Sequence, residues 1–377
     1  MKSFDWVNPY PSVRIPLFAR NVVSTSHPLA AQAGLRMLLK GGNAVDAAIA
    51  AAATIVLVEP VSCGLGGDCF AIVWDGKELH GLNSSGVAPA AWNVEYFKRK
   101  YGTGPDGLAI QPKRGWDSVT VPGVVAGWSA LHEKLGKLPF EQLFEPAIEI
   151  AERGYAVPPV VAHKWAAAAK ELSNQPGYAQ AFMPEGRAPK VGEHFRFPDA
   201  ANTLRRIAES HGRDFYEGEL AERIAAFAKE GGGAMTLEDL RGYRPEWVKP
   251  ISKSYRGYEL HEIPPNGQGI AALIALGIVE RFDMASLPVD SVQSQHVQIE
   301  AMKLAFADLY KYVADPRSME VTPEQMLSDG YLDSRAKLIR LDGATHFEAG
   351  RPHAGGTVYL TAADENGMMI SLSLIHI

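Results

Sequence analysis

Near the end of the 377-residue chain a threonine follows two glycines, in Gly355-Gly356-Thr357-Val358-Tyr359-Leu360-Thr361-Ala362-Ala363-Asp364-Glu365-Asn366-Gly367. A threonine hydroxyl can act as a nucleophile only when a base takes its proton. By propensity alone Thr357 is a β-branched residue opening a strand, with a turn and a second strand after it. A second group, His296, Glu300, Lys303 and Asp308, falls within one helical stretch, Ser291–Val313. Glu300 stands three residues before Lys303, which a surface ion pair explains. Cys63 and Cys69 flank Gly64-Leu65-Gly66-Gly67-Asp68 and read as two small buried hydrophobes. That glycine-rich loop is no nucleotide cradle. Cys69 stands where the dinucleotide pattern needs a third glycine, the loop leads from helix to strand, and no Lys precedes a Ser or Thr. A tight turn that lets backbones approach closely fits it better.

The surrounding elements follow from periodicity and punctuation. Residues 1–22, with several prolines, read as an irregular arm. Pro28 opens a helix that Gly41-Gly42 closes. Asn43 and Asp46 form a capping box for a second helix reaching Val58. That helix is apolar all round, so it must be buried on several sides, as against a sheet. Strand Cys69–Trp74, the turn Asp75-Gly76 and strand Lys77–Leu82 make a hairpin. Helix followed by antiparallel hairpin is an α+β pattern. Further helices are expected up to Gly136, over Leu143–Arg153, Leu204–Glu209, Gly218–Lys229, Leu237–Leu240 and from Ile270 to about Arg281. Tyr255–Ile263 reads as one strand, followed by the loop Pro264-Pro265-Asn266-Gly267-Gln268-Gly269. On Ser291–Val313 the core stripe is expected at Ile299, Met302, Phe306, Leu309 and Val313. Residues 314–356 show weak periodicity, an unusually long irregular approach to Thr357.

A net charge of −6 and a pI near 6.0 speak against nucleic acid or an anionic membrane as partner. Two cysteines make no disulfide framework. The longest apolar run, Ala47–Val58, is far short of the ~20 residues a bilayer span requires. With no signal-peptide pattern at the N-terminus, the expected location is cytoplasmic.

Five segments together resemble the gamma-glutamyltransferase family of N-terminal nucleophile hydrolases. They are Ser26-His27-Pro28-Leu29-Ala30 through Gly41-Gly42-Asn43-Ala44-Val45-Asp46-Ala47-Ala48; Gly64-Leu65-Gly66-Gly67-Asp68-Cys69-Phe70; Val121-Pro122-Gly123 with Gly127-Trp128; Phe144-Glu145-Pro146-Ala147-Ile148 with Ala151-Glu152-Arg153-Gly154; and His296 through Glu300-Ala301-Met302-Lys303-Leu304-Ala305-Phe306-Ala307-Asp308. Their number and order, from about residue 20 to 371, carry the likeness. The resemblance implies a four-layer αββα sandwich and a precursor that cuts itself before a threonine. It places that cut at Gly356–Thr357, because Thr357 stands at the family's distance from Gly367, with Asp364 at the acidic position. A freed α-amino group, with a pKa of ~7.7–8.0, can take the hydroxyl proton at neutral pH. One residue then supplies nucleophile and base, and no cofactor or metal is needed. The implied reaction is acyl transfer from a small amide to water or an amine, as with gamma-glutamyl compounds such as glutathione, by two subunits that stay associated.

Two departures refine this. Gamma-glutamyl-using members carry an Arg before an Ala-Pro pair, to clamp the substrate carboxylate. Here Asn83-Ser84-Ser85-Gly86-Val87-Ala88-Pro89 puts Ser85 at that position, which resembles the acylase-like and amidohydrolase-like branch. Asn83 and Ser85 are the substrate-binding candidates, and a non-glutamyl amide is the alternative donor. A non-catalytic binding or structural relative is the alternative of another class. The second departure is that the family's small subunit continues well beyond this chain's end. The expected divisions are an arm over 1–22, a large-subunit region over 23–356, a small-subunit start over 357–371, and a non-native tail over 372–377 from a truncated reading frame. The sandwich is accordingly expected to be incomplete.

Overall fold

A computed structural model describes residues 17–345, 347 and 356–376, and of 356–360 and 374–376 the backbone alone. Most of the arm expected over 1–22, part of the approach to Thr357, and Ile377 lie outside the described residues. Among the described residues ten strands occur in chain order: β1 Val22–Ser24, β2 Cys69–Trp74, β3 Leu79–Ser84, β4 Tyr155–Ala156, β5 His194–Phe195, β6 Glu246–Val248, β7 Ile251–Tyr255, β8 Tyr258–Glu262, β9 Gly356–Ala363 and β10 Met369–His376. Six form one antiparallel sheet in the order β1-β9-β10-β2-β3-β6, and β4-β5 and β7-β8 are two-stranded ribbons. Residues 372–376, set apart in the sequence as a tail, continue β10, and Leu372 is fully buried.

Helix Ala44–Val58 lies against β9 and β10 on one face of the sheet, and helix Phe140–Arg153 covers it from behind. All fifteen of its residues are buried. Seven alanines let sheet and helices approach it closely, and its one polar mid-helix side chain, Thr54, donates to the carbonyl of Ala50 at 2.8 Å. Helices Pro28–Leu39, Val124–Leu135 and Pro198–Glu209 complete this layer.

The other face of the sheet receives a second unit. Ribbon β7-β8 packs under helix Ile270–Val279, which packs on helices Val292–Tyr312 and Asp329–Ala336 around a separate apolar cluster. Gly81 of β3 leaves room there for Pro250 and Ile263, since a Cβ at Gly81 would lie 3.2 Å from each. The layers therefore run helices, sheet, ribbon, helices, the αββα order, with two strands in the second β layer among the described residues.

Four expectations need correction. Tyr255–Ile263 is not one strand, because Arg256 and Gly257 both adopt positive φ and make a two-residue hairpin turn inside it. Residues 314–343 contain short helices at Pro323–Met326 and Asp329–Ala336. On helix Val292–Tyr312 the buried apolar face is Val297, Ala301, Leu304, Ala305 and Leu309, while Ile299 and Met302 are 55% and 40% exposed. Nor is Glu300–Lys303 a surface pair. Glu300 is buried and accepts from Lys303 Nζ at 2.5 Å and from the Thr345 amide at 2.9 Å. Burial would raise its carboxyl, but these donors hold it below the usual range. Helices Val94–Tyr101 and Pro159–Leu172 were not anticipated.

Urea unfolding checks the revised helix face. Leu304→Ala should cost ~2–5 kcal/mol, and Ile299→Ala less than about 1 kcal/mol. Equal losses would contradict the burial seen here.

Candidate active site

The segment Asn83–Gly86 is fixed from behind by a chain of hydrogen bonds. Ser84, at the end of β3, is fully buried, and its hydroxyl donates to the Gly123 carbonyl at 2.7 Å. That commits the serine proton, so the Tyr243 hydroxyl, 3.0 Å away, must donate to Ser84 Oγ. Tyr243 in turn accepts from the Gly86 amide at 3.2 Å, and burial raises its phenol pKa. Side chains alternate along a strand, so with Ser84 turned inward, its neighbours Asn83 and Ser85 face the opposite way.

The glycine motifs lock this arrangement. The Gly67 carbonyl accepts from the amides of Gly123 and Val124 at 2.9 and 3.0 Å and so caps helix Val124–Leu135. A Cβ on Gly123 would sit 1.9 Å from the Ser84 carbonyl oxygen, and one on Gly127 would sit 2.9 Å from Cys69 Cβ. The loop Gly64–Gly67 holds the helix start through its Gly67 carbonyl, while the close approach is at Gly123 and Gly127. Cys63 and Cys69 are free, buried thiols whose pKa values are pushed up chiefly by burial.

Asn83 and Ser85 line a cleft of about 940 Å³ between the sheet and the second unit. The structure brings these two candidates together with a third side chain that sequence reasoning missed. Asn266, from the loop Pro264–Gly269, accepts from Asn83 Nδ2 at 2.8 Å and donates through Nδ2 to Ser85 Oγ at 3.0 Å. Asn83 Oδ1 accepts from the Ser85 amide at 3.1 Å. The signal available in the sequence was a proline- and glycine-rich loop directly before a helix, which says nothing of what Asn266 touches. Phe70 shares the cleft and packs against Gly267.

The cleft also holds Asp68, Glu246, Asp315, Arg244 and Arg317. Arg317 is bidentate to Asp315 at 2.9 and 2.5 Å and holds its carboxyl down to about 2. Arg244 donates to the carbonyls of Arg241 and Tyr243 at 2.8 and 2.6 Å and faces Glu217 at 3.5 Å.

Thr357 and Gly356 are placed by backbone register. One row runs across the sheet through Tyr359, Ser373, Phe70 and Asn83. Thr357, opposite Ile375, stands two residues from that row, in the direction in which Ser85 stands two residues from Asn83. The Thr357 position and the cleft thus share one end of the sheet. Three inter-strand steps separate β9 from β3, about 14 Å at ~4.8 Å per step. The Thr357 side chain lies outside the described residues. At the far end of β9, Asp364 accepts from Asn366 and Met368 amides at 2.9 and 3.1 Å and from the Ala44 amide at 3.2 Å. This ties the β9–β10 turn to the N-terminus of the buried helix.

A sequence model of the family described as Gamma-glutamyltranspeptidase matches residues 30–374. The chain is 35% identical over 356 residues to a glutathione hydrolase-like proenzyme of Bacillus subtilis (strain 168), covering 93% of this chain and 66% of that one. It is 33% identical to an acylase proenzyme of Pseudomonas sp. (strain SE83), covering 94% and 64%. The crystal structure of cephalosporin acylase from Bacillus halodurans is similar with a TM-score of 0.89 and 46% identity, over 99% of this chain and 68% of that one. The chain thus spans slightly less than two thirds of the length of these curated relatives.

Two glycines test the locking of the site. Gly123→Ala should lower stability by ~1–3 kcal/mol through overpacking. Gly66→Ala, with no atom within 4 Å of the new Cβ, should stay within about 0.5 kcal/mol of the parent. Thermal melts of both variants read the difference.

Proposed function

This chain belongs to the gamma-glutamyltranspeptidase family, and from that premise we propose that it cuts itself at Gly356–Thr357 and that Thr357 is the nucleophile of an amide hydrolase or acyltransferase. The observation that carries the proposal is placement. Thr357 is the second residue of β9, at the end of the sheet where the cleft opens. In the cut protein the α-amino group of Thr357 takes the hydroxyl proton, and Oγ adds to the substrate amide carbon. The amine leaves with a proton, and an ester remains on Thr357. Water or an amine then takes the acyl group and returns the proton.

The relatives' names divide between glutathione hydrolase-like and acylase. Ser85 favours the acylase side. Where an Arg would clamp an α-carboxylate bidentately, a short hydroxyl stands, and Arg244 and Arg317 are engaged with partners of their own. A non-glutamyl amide is therefore the second reading. We further propose that the chain comprises a large subunit and the start of a small one, within a longer reading frame. Association of the cut subunits is supported by two pairings across the cut, β9 with β1 and β10 with β2.

In the longest reading frame containing this sequence, mass spectrometry should find two polypeptides, one beginning at Thr357. Thr357→Ala should stay as one uncut chain and hydrolyse no amide. Normal cleavage of that variant would falsify the assignment, and an uncut parent would favour a non-catalytic relative. Comparing a gamma-glutamyl anilide with a simple acyl anilide separates the two donor classes.

A further inference from the structure

We propose that Asn266, with Asn83 and Ser85, is a specificity-determining station that selects acyl donors whose tail ends in an uncharged hydrogen-bonding group such as a carboxamide. The proposal rests on reading Thr357 as the nucleophile.

The hydrogen-bond pattern fixes how the three side chains point. Asn83 Oδ1 must accept from the Ser85 amide, so Asn83 Nδ2 faces Asn266 Oδ1. Asn266 Nδ2 is then left to donate to Ser85 Oγ. Each amide nitrogen carries two hydrogens and uses one within the triangle. Asn266 Oδ1 also faces the Ser85 hydroxyl at 3.4 Å, so the second hydrogen of Asn83 Nδ2, the second of Asn266 Nδ2 and one lone pair on Asn83 Oδ1 remain for a ligand. This set offers donors and an acceptor together and no formal charge. It matches a carboxamide, which also has both.

A carboxylate is served badly here. It would leave water for a cleft whose carboxylates outnumber its arginines, which is costly. Asp68, Glu246 and Asp315 share the cleft, while Arg317 is bound to Asp315 and Arg244 to two carbonyls. The triangle also sets the tail's length. The β3 row lies about 14 Å from β9 by strand spacing. An arginine at position 85 could meet a short donor partway, whereas Ser85 cannot, so the donor must do the spanning.

The station joins two layers. Asn83 and Ser85 belong to the sheet, and Asn266 leads into helix Ile270–Val279 of the second unit. Removing Asn266 therefore removes the hydrogen bonds and, with them, one of the contacts between the two layers.

The test uses the longest reading frame and three series of 4-nitroanilides, built on adipic, suberic and sebacic chains and ending in a carboxamide, a carboxylate or a methyl group. The carboxamide end should exceed the other two in kcat/KM by about tenfold at the best length, the factor one neutral hydrogen bond supports. Asn266→Ala should bring the carboxamide-to-methyl ratio near one, mainly through KM. Ser85→Arg should reverse the order in favour of the carboxylate. Equal or carboxylate-first rates in the parent, or an Asn266→Ala variant with unchanged ratios, overturn the station and leave Thr357 standing. Absence of both self-cleavage and hydrolysis overturns the Thr357 reading instead. Calorimetric binding of the carboxamide anilides to parent and Asn266→Ala then decides the station alone: lost binding supports it, and unchanged binding overturns it. Asn266→Ser, a smaller change, replaces Asn266→Ala if the latter does not fold.

Discussion

The helix Ala44–Val58 has no exposed face, and that constraint fixes where the rest can stand. An element buried on all sides must have its end groups met within the protein. Asn43 and Asp46 close the N-terminal turn on each other, and Asp46 also accepts from the Lys137 and Leu138 amides at 3.0 and 3.1 Å. Asp364 takes the Ala44 amide. A carboxylate at a helix N-terminus also lies favourably in the helix dipole. Through Asp364 the helix reaches the β9–β10 turn, and the turn sets the ladder on which Thr357 is placed.

The cleft depends on a second set of constraints, which are steric. Gly123 and Gly127 bring the start of helix Val124–Leu135 to distances from Ser84 and Cys69 that a side chain would forbid, and the Gly67 carbonyl ties the loop before β2 to the same helix end. Ser84 and Tyr243 convert that closeness into a directed hydrogen-bond chain. The outward-facing pair Asn83 and Ser85 is thereby presented by backbone that has little freedom to shift.

Much of this was legible in the sequence, for identifiable reasons. The capping box at Asn43 and Asp46 and the apolar helix after it are local signals that appear where expected, and Asp75-Gly76 marks a hairpin whose return strand, Leu79–Ser84, begins two residues later than Lys77. Local signals failed where tertiary packing chose. On helix Val292–Tyr312 large apolar residues suggested one face, but small residues and the partnered carboxylates Glu300 and Asp308 occupy the buried one. Close approach of helix Ile270–Val279 favours alanine there, and a hydrophobicity pattern does not register this. The turn at Arg256-Gly257 was hidden because arginine seldom marks positive φ. Asn266 was unreadable for a different cause: its partners lie 181 and 183 residues away in the chain.

Strand β9 is held unevenly along its length. Among the described residues it is flanked by β1 and β10 from Thr361 to Ala363, and pairs with β10 alone from Gly356 to Leu360. A chain terminus is ordinarily the least ordered part of a protein. One created at residue 357 would be a short cantilever, anchored by the doubly paired segment. Such a terminus needs little further ordering when a substrate arrives.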